Sequence, residues 1–172
     1  MAEQAVQVFT DGGSVPNPGP GAWGALLISH GTAQYLSGYE PDPKTTNNKM
    51  ELSAAINALR AFTKGARIEM HTDSKYVKDG IESWLPKWKK NKWLTSKKEP
   101  VKNQDLWLEL ERQLETHEVS WGWVRAHADN RYNNFVDWLV FDAIQNRRGT
   151  SKRVSVDELD KFIDTLKLRI KR

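Results

Sequence analysis

The chain has 172 residues, a formal net charge of +4 and no cysteine, and 38% of its residues are hydrophobic. These values are typical of one globular domain with a full core, and they exclude disulfides and thiolate metal sites. No stretch approaches the roughly 20 apolar residues that cross a membrane, and the N-terminus lacks the pattern of a signal peptide. We therefore expect a cytoplasmic protein, with a monomer as the default, and the basic charge suggests a polyanionic partner.

The hydrophobic pattern predicts strands where apolar residues run unbroken or alternate, and helices where they recur every three or four residues. In chain order the predicted elements are three strands (5–10, 22–29 and 33–39), a helix (46–64), a strand (67–72), a helical start at 74, a helix (103–115), a strand (118–125) and a helix (133–146). Strands connected through helices imply a mixed sheet with helices on its faces, so we expect an α/β fold.

The last part of the chain has a different pattern. Residues 147–152, RRGTSK, are the best candidate for a linker, so we expect a main domain over 1–148 and a helical extension over 149–172. Ser155 and Glu158 match a capping box, which predicts a helix start. The helix would carry an apolar stripe that docks on its own domain, with docking on a partner as the alternative, and a basic face that extends the positive surface. The stripe is Leu159, Phe162, Ile163, Leu166 and Ile170.

Four acidic residues stand in settings that suggest one shared site. Asp11 and Asp73 each follow an apolar run, and strand ends are where sites form in open α/β sheets. Glu51 and Asp137 lie on predicted helices beside apolar residues. Gathered carboxylates repel one another unless a divalent metal binds between them, and oxygen ligands favour Mg²⁺ or Mn²⁺. The alternative is that each acid is simply solvated, as most acidic residues are.

Several motifs in a fixed order then show a family resemblance. The motifs are FTDGGSVPNPGPGAWG, TTNNKMEL, TDSKYV, the stretch WLPKWKKNKWLTSKKEPVKNQDLW, and WVRAHA followed by Asp137. With these motifs the chain resembles a type 1 ribonuclease H over residues 5–146. The resemblance implies a ribonuclease H-like fold with a five-stranded mixed sheet flanked by helices. It also implies an endonuclease that hydrolyses the RNA strand of RNA–DNA hybrids and leaves 5′-phosphate and 3′-hydroxyl ends.

The resemblance assigns catalytic roles to the four acids and to one histidine. The family's catalytic carboxylates correspond to Asp11, Glu51, Asp73 and Asp137, which would hold two Mg²⁺ ions, with Mn²⁺ as an alternative. Two such ions about 4 Å apart can clamp the attacking and leaving oxygens of a phosphodiester. The family's mobile catalytic histidine corresponds to His127, for proton transfer or product release, although a lone histidine is usually structural or exposed.

Three positions depart from the family pattern. Ala126 stands where glycine is usual before the histidine, and Asn134 stands where an acidic residue is often found. Trp138 follows the last catalytic aspartate, where a small or acidic residue is commoner. These departures concern the surroundings of the predicted site and not its carboxylates.

Polar, basic and aromatic residues that match hybrid-binding positions form a second set. Amide side chains suit 2′-hydroxyls and base edges in an A-like minor groove, whereas lysines neutralise phosphates without reading sequence. Turn formation and helix capping are alternatives for the amides, and mutual packing is an equal alternative for the tryptophans. Lys49 replaces a common arginine, so a bidentate contact becomes a point charge. The set is Asn17, Thr46, Asn47, Asn48, Lys49, Ser74, Trp84, Lys87, Trp88, Lys89, Lys90, Lys92 and Trp93.

Two other functions compete with hybrid cleavage. One is a hybrid-binding module without catalysis, which the complete set of four carboxylates disfavours. The other is a related nuclease or integrase that acts on DNA alone. The paired Asn47 and Asn48 and the Trp–Lys stretch favour recognition of a hybrid over that function.

Overall fold

A six-stranded mixed sheet with helices on its faces organises the computed structural model, which describes residues 4–124 and 130–168. The strands are β1 (Val6–Ser14), β2 (Gly21–Ser29), β3 (Thr32–Glu40), β4 (Arg67–Thr72), β5 (Glu118–Trp123) and β6 (Thr150–Ser155). The helices are α1 (Asn47–Arg60), α2 (Lys75–Asp79), α3 (Leu85–Lys90), α4 (Gln104–Glu115), α5 (Arg131–Asn146) and α6 (Val156–Leu166), with a π-helical turn (Gly80–Trp84) between α2 and α3. The strand order is β5-β4-β1-β2-β3-β6.

The pairing of the strands confirms the predicted mixed sheet. β1 pairs antiparallel with β2 and parallel with β4, and β5 continues the sheet in parallel with β4. The predicted hairpin of β2 and β3 turns at His30 and Gly31, both with positive φ. Within the described residues no helix is long and apolar enough to cross a membrane.

Two hydrophobic layers hold α1 and α5 on opposite faces of the sheet. Leu52 and Leu59 of α1 pack in one layer with Val8 and Leu27. On the other face Phe135 of α5 packs with Leu26, Phe9 and Tyr35. This arrangement places the first turns of α1 and the middle of α5 on either side of the carboxyl end of β1.

The sheet has six strands and not the five that were predicted. The prediction of a linker at 147–152 is also wrong, because the second half of this segment belongs to a strand. Residues 150–155 form β6, which pairs antiparallel with β3 from Thr32↔Ser155 to Ser37↔Thr150. The segment TSKRVS has a single large apolar residue, Val154, so its sequence carries no strand pattern. It is a strand because β3 offers a backbone edge to pair with, which is a tertiary effect.

The predicted apolar helix at the end of the chain is confirmed as α6, and it docks on its own chain. Ser155 caps the helix by accepting a hydrogen bond from the Glu158 N–H at 3.1 Å. Leu159 and Ile163 are buried against the α5 face of the sheet. Ile170 lies outside the described residues, and Phe162 remains partly exposed.

Polar and aromatic contacts join α6 to α5. The Arg131 guanidinium donates to the Asp160 carbonyl at 2.6 Å and to Asp164 Oδ1 at 2.9 Å. The Trp138 ring lies 5.7 Å from the Phe162 ring, centroid to centroid, in an edge contact. This contact explains why a large aromatic residue follows Asp137 in this chain, because it forms part of the surface on which α6 docks.

The predicted basic face of α6 is wrong for the described residues. The helix carries four acids and one lysine, so its exposed surface is acidic. The basic residues of this region instead precede it, in the turn after α5 and in β6. Arg169, Lys171 and Arg172 lie outside the described residues.

Candidate active site

Two aspartates meet just beyond the point where the parallel pairing of β1 with β4 ends. The last pair between β1 and β4 is Phe9↔His71. Asp11 and Asp73 are each two residues beyond it, so they lie level on adjacent chains. Phe9 and His71 also stack at 4.6 Å between centroids, which fixes the strand ends below the two acids. The predicted convergence of Asp11 and Asp73 is therefore observed.

A glycine in β1 brings the third carboxylate to this position. A side chain at Gly12 would collide with the α1 backbone at Met50 and Glu51, so α1 lies directly on the strand. The Gly12 N–H donates to Glu51 Oε1 at 3.2 Å, which orients the glutamate toward Asp11. Glycine is required here because no other residue permits so close a backbone approach.

The three carboxylates form one compact cluster. Asp11, Glu51 and Asp73 each offer an oxygen within 4.8 Å of the others, and Asp11 and Glu51 are both only 8% exposed. The pKa of Asp11 is raised to about 7, mainly by burial. The hydrogen bond with Glu51 lowers this pKa, whereas the negative charges of Asp73 and Asp137 raise it. Burial likewise raises the pKa of Glu51 well above its usual value. Asp137 of α5 thus interacts with this cluster from the opposite face of the sheet.

The cluster fits a hard divalent cation. Glu51 Oε2 is buried and finds no hydrogen-bond donor within the part of the chain that the structure describes. A buried carboxylate oxygen without a donor is unfavourable, and a metal ion would satisfy it. Because the donor set contains only carboxylate oxygens, it suits Mg²⁺ or Mn²⁺ better than softer metals.

The predicted catalytic histidine falls outside the described residues. His127 lies between Val124 and Asn130, the last and first described residues on either side. β5 ends one residue before Val124, and Asn130 caps α5 by accepting from the Asn133 N–H at 3.0 Å. His127 therefore belongs to the connection that leads into the helix carrying Asp137.

Asn17 and Asn47 tie the loop after β1 to the start of α1. Asn47 Oδ1 accepts from the Ser14 N–H at 2.8 Å, and Asn17 Oδ1 accepts from the Asn47 N–H at 3.2 Å. Both oxygens thus have internal partners. Ser14 is the shared contact and was not among the predicted site residues, although it lies in the first motif directly after the Asp-Gly-Gly sequence.

Thr46 and Ser74 are helix caps in the structure. The Thr46 hydroxyl accepts from the Lys49 N–H and the Ser74 hydroxyl accepts from the Val77 N–H, each at 3.2 Å. Capping thus accounts for one hydrogen bond of each side chain and leaves the hydroxyl proton for another acceptor. Asn48 is exposed in the first turn of α1, beside these caps.

A groove runs along α1 next to the caps. Its volume is about 470 Å³, and Lys49, Asn103 and Trp23 are among its lining residues. Lys49 is the basic group on a wall that also carries Glu40 and Asp42. A second cavity of about 420 Å³ opens beside Asp73 and Ser74.

The tryptophans of the segment between β4 and α4 pack against one another. Trp88 lies 5.7 Å from Trp84, 5.8 Å from Trp93 and 5.4 Å from Trp107, measured between ring centroids. Trp107 also donates to the Tyr76 hydroxyl at 3.0 Å. Trp84, Trp88 and Trp93 are each half-buried, so part of each side chain remains accessible.

This aromatic cluster supports a basic surface, which we call the protrusion (residues 85–102). Its exposed lysines include Lys87, Lys90 and Lys92, which form no ion pair with any described residue. Lys89 differs from them because it pairs with Glu111 of α4, and the hydrogen bond to Glu111 raises the pKa of Lys89. Of the predicted lysines, Lys89 is therefore the least available to a ligand.

Comparison with known proteins shows which family the chain belongs to. A family model for RNase H matches residues 3–145. The chain is 49% identical over 146 residues to ribonuclease H of Hydrogenovibrio crunogenus, covering 85% of this chain and 99% of that protein. It is 52% identical over 140 residues to ribonuclease H of Mesorhizobium japonicum, covering 81% of this chain and 77% of that protein.

Solved structures show the same fold. The crystal structure of LC9-RNase H1, a type 1 RNase H with the type 2 active-site motif, matches with a TM-score of 0.79 at 26% identity, covering 98% of this chain and 87% of that one. LC11-RNase H1 matches with a TM-score of 0.60 at 20% identity, covering 83% of this chain and 98% of that one. The chain belongs to the ribonuclease H family and is a nuclease.

Proposed function

We propose that this protein is an endonuclease that hydrolyses the RNA strand of RNA–DNA hybrids with two bound Mg²⁺ ions. The observation that carries the proposal is the cluster of Asp11, Glu51 and Asp73, with Asp137 beside it. The relatives' name, ribonuclease H, supports the reaction, and the LC11-RNase H1 structure is a complex with an RNA/DNA hybrid.

The role of the carboxylates is to bind divalent cations. Buried carboxylates that lie close together repel one another, and a bound cation relieves that repulsion. Asp11, Glu51 and Asp73 would hold the divalent metal, and Asp137 would contribute from α5. The bound metal would supply an activated water and a positive charge for the departing 3′ oxygen, so that cleavage leaves 5′-phosphate and 3′-hydroxyl ends. Because its pKa is raised to about 7, Asp11 is partly protonated at neutral pH without metal, so metal binding releases a proton.

One cleavage experiment tests the proposal. End-labelled RNA–DNA hybrid, double-stranded RNA and double-stranded DNA are incubated with the protein, each with and without Mg²⁺. We expect cleavage of the RNA strand of the hybrid alone, and only with metal. Cleavage of DNA would favour a DNA nuclease instead, and binding of the hybrid without cleavage would favour a non-catalytic binding module.

The protrusion lysines should bind phosphates without reading sequence. Lys90→Ala combined with Lys92→Ala should weaken hybrid binding equally for different sequences. It should also reduce the slope of log affinity against log salt by up to about one unit for each phosphate that is no longer neutralised. The dissociation constant is measured across a salt series. A control is Lys64→Ala, which removes one charge at an exposed lysine beyond the far end of α1. An unchanged slope would mean that these lysines only solubilise the surface.

His127 should assist the reaction without holding metal. If it transfers a proton or helps product release, His127→Ala should lower the turnover number by roughly 10²-fold, the lower range for general acid–base groups. Hybrid binding should hardly change. Single-turnover and steady-state rates, measured together, separate chemistry from release. Loss of metal binding, measured by calorimetry, would instead make His127 a ligand.

A further inference from the structure

The turn that joins α5 to β6 carries a concentration of positive charge outside the range that the family model matches. Arg147, Arg148, Lys152 and Arg153 are all exposed, and no acidic residue occurs between Asp142 and Asp157. Within the described parts of the chain none of the four forms an ion pair. Clustered unpaired cations repel one another, and an anionic partner relieves that repulsion.

The strand register places the start of β6 level with the catalytic carboxylates. Asp11 pairs with Gly24, Gly24 pairs with Ser37, and Ser37 pairs with Thr150. Three strand spacings of about 4.8 Å separate the backbones of Asp11 and Thr150, which gives a distance of about 14 Å along the sheet. The Thr150 N–H also donates to the Ser37 hydroxyl at 3.0 Å, which fixes the turn on β3.

Of the four cations, Arg147 and Arg148 lie at the catalytic end of the sheet. Lys152 pairs with Tyr35 and Arg153 with Gln34, so both lie further back along β3. Arg147 follows Val140 by seven residues, about 10 Å along the helix axis, and Val140 lies beside Gly13. The two arginines therefore lie close enough to the carboxylate cluster to reach phosphates a few nucleotides away from the cleaved bond.

The protrusion and this pair of arginines are attached to opposite faces of the sheet. Trp84, Trp88 and Trp93 of the Trp–Lys stretch pack in the hydrophobic layer on the α1 face. Arg147 and Arg148 follow α5, which packs on the other face, and precede β6 at the edge of the sheet. A nuclease that cuts within a duplex meets phosphates on both sides of the bond it cuts. Positive surfaces on both sides match that distribution of charge.

We infer that Arg147 and Arg148 bind backbone phosphates of the nucleic acid duplex on the side of the cleaved bond that is opposite to the protrusion. This inference rests on the proposed function. The contact is independent of base sequence, because the two side chains reach phosphates and not base edges. It extends the duplex-binding surface beyond the residues that the family model covers.

The test compares two double variants with the same change in charge. Arg147→Asn with Arg148→Gln removes the two cations, and asparagine tolerates the left-handed backbone of residue 147 (φ 53°). The control is Lys167→Asn with Lys161→Gln, since Lys167 also has positive φ (50°) at a helix end. Binding to a hybrid of about 20 base pairs is measured across a salt series. We expect the arginine variant to reduce the log–log slope by about one to two units and the control to leave it unchanged.

A second measurement locates the contact. Two duplexes are compared, one with a short RNA stretch near one end and one with the stretch near the other end. In each duplex the phosphates that flank the RNA stretch extend mainly in one direction. The arginine variant should bind one of the two more weakly and the other as tightly as the unaltered protein does. Equal slopes for both variants, or equal weakening on both duplexes, would overturn the inference. Cleavage of the hybrid by the unaltered protein tests the proposed function separately, so the two failures are distinguishable.

Discussion

The Asp11→Asn variant is expected to bind an RNA–DNA hybrid about as tightly as the unaltered protein and to show no measurable cleavage in Mg²⁺. Asparagine keeps the shape of the side chain but removes the charge that holds metal beside Glu51 and Asp73. Asp73→Asn should behave in the same way. Labelled-hybrid cleavage and a binding titration check both parts. Near-normal turnover by the Asp11→Asn protein would remove this residue from the proposed site.

The melting temperature of the Asp11→Asn variant shows whether the variant is folded. The pKa of Asp11 is raised to about 7 in the folded state, mainly by burial, from an ordinary value of 3.8. Between these values the folded state binds more protons than the unfolded state, so this group's stabilising contribution is lost as pH rises toward 7. Without metal, Asp11→Asn should therefore melt at a higher temperature than the unaltered protein at pH 8 and at about the same temperature at pH 4.

Removal of residues 150–172 should destabilise the protein strongly without removing the catalytic residues. The deletion exposes the surface on which Leu159 and Ile163 are buried, each contributing about 1.5–3 kcal/mol. For a chain of this size the loss corresponds to a melting temperature lower by about 6–24 °C. Because all four carboxylates precede residue 150, the truncated protein should cleave hybrid wherever it remains folded.

A single substitution separates docking from other effects of truncation. Leu159→Ala should destabilise the full-length protein by about 2–5 kcal/mol, because it leaves a cavity under α6. Lys161→Ala, on the exposed face of the same helix, should change stability by less than about 0.5 kcal/mol. Thermal melts of both variants provide the comparison. Equal stability of the two variants would contradict the docking of α6.

The sequence predicted the central part of the fold because its elements have strong patterns. Asp11 and Asp73 follow apolar runs, and β1 and β4 are indeed parallel neighbours, so the two acids converge. Glu51 was predicted from its position one turn into α1. What the sequence did not show is how close α1 comes to β1, which depends on the absence of a side chain at Gly12.

Other features depend on tertiary contacts that no local pattern reports. β6 is polar and short, and it forms a strand only because β3 is available to pair with it. For the tryptophans the sequence leaves packing and contact equally open; the ring contacts establish packing, and part of each side chain remains accessible. The basic residues near the chain end suggest a basic face, whereas α6 itself carries four acids and one lysine. His127 stays a prediction, since it lies outside the described residues.

The pairing of β6 with β3 also decides which strand ends the sheet on this side. Without β6 the last strand would be β3, nine residues long and rich in aromatic and apolar side chains. Long apolar edge strands are templates for pairing between molecules and for aggregation. β6 replaces that edge with six residues that include Lys152 and Arg153, and charged edges resist such pairing. The extension thus gives the chain a protected edge, and its self-association at high concentration should be lower for that reason.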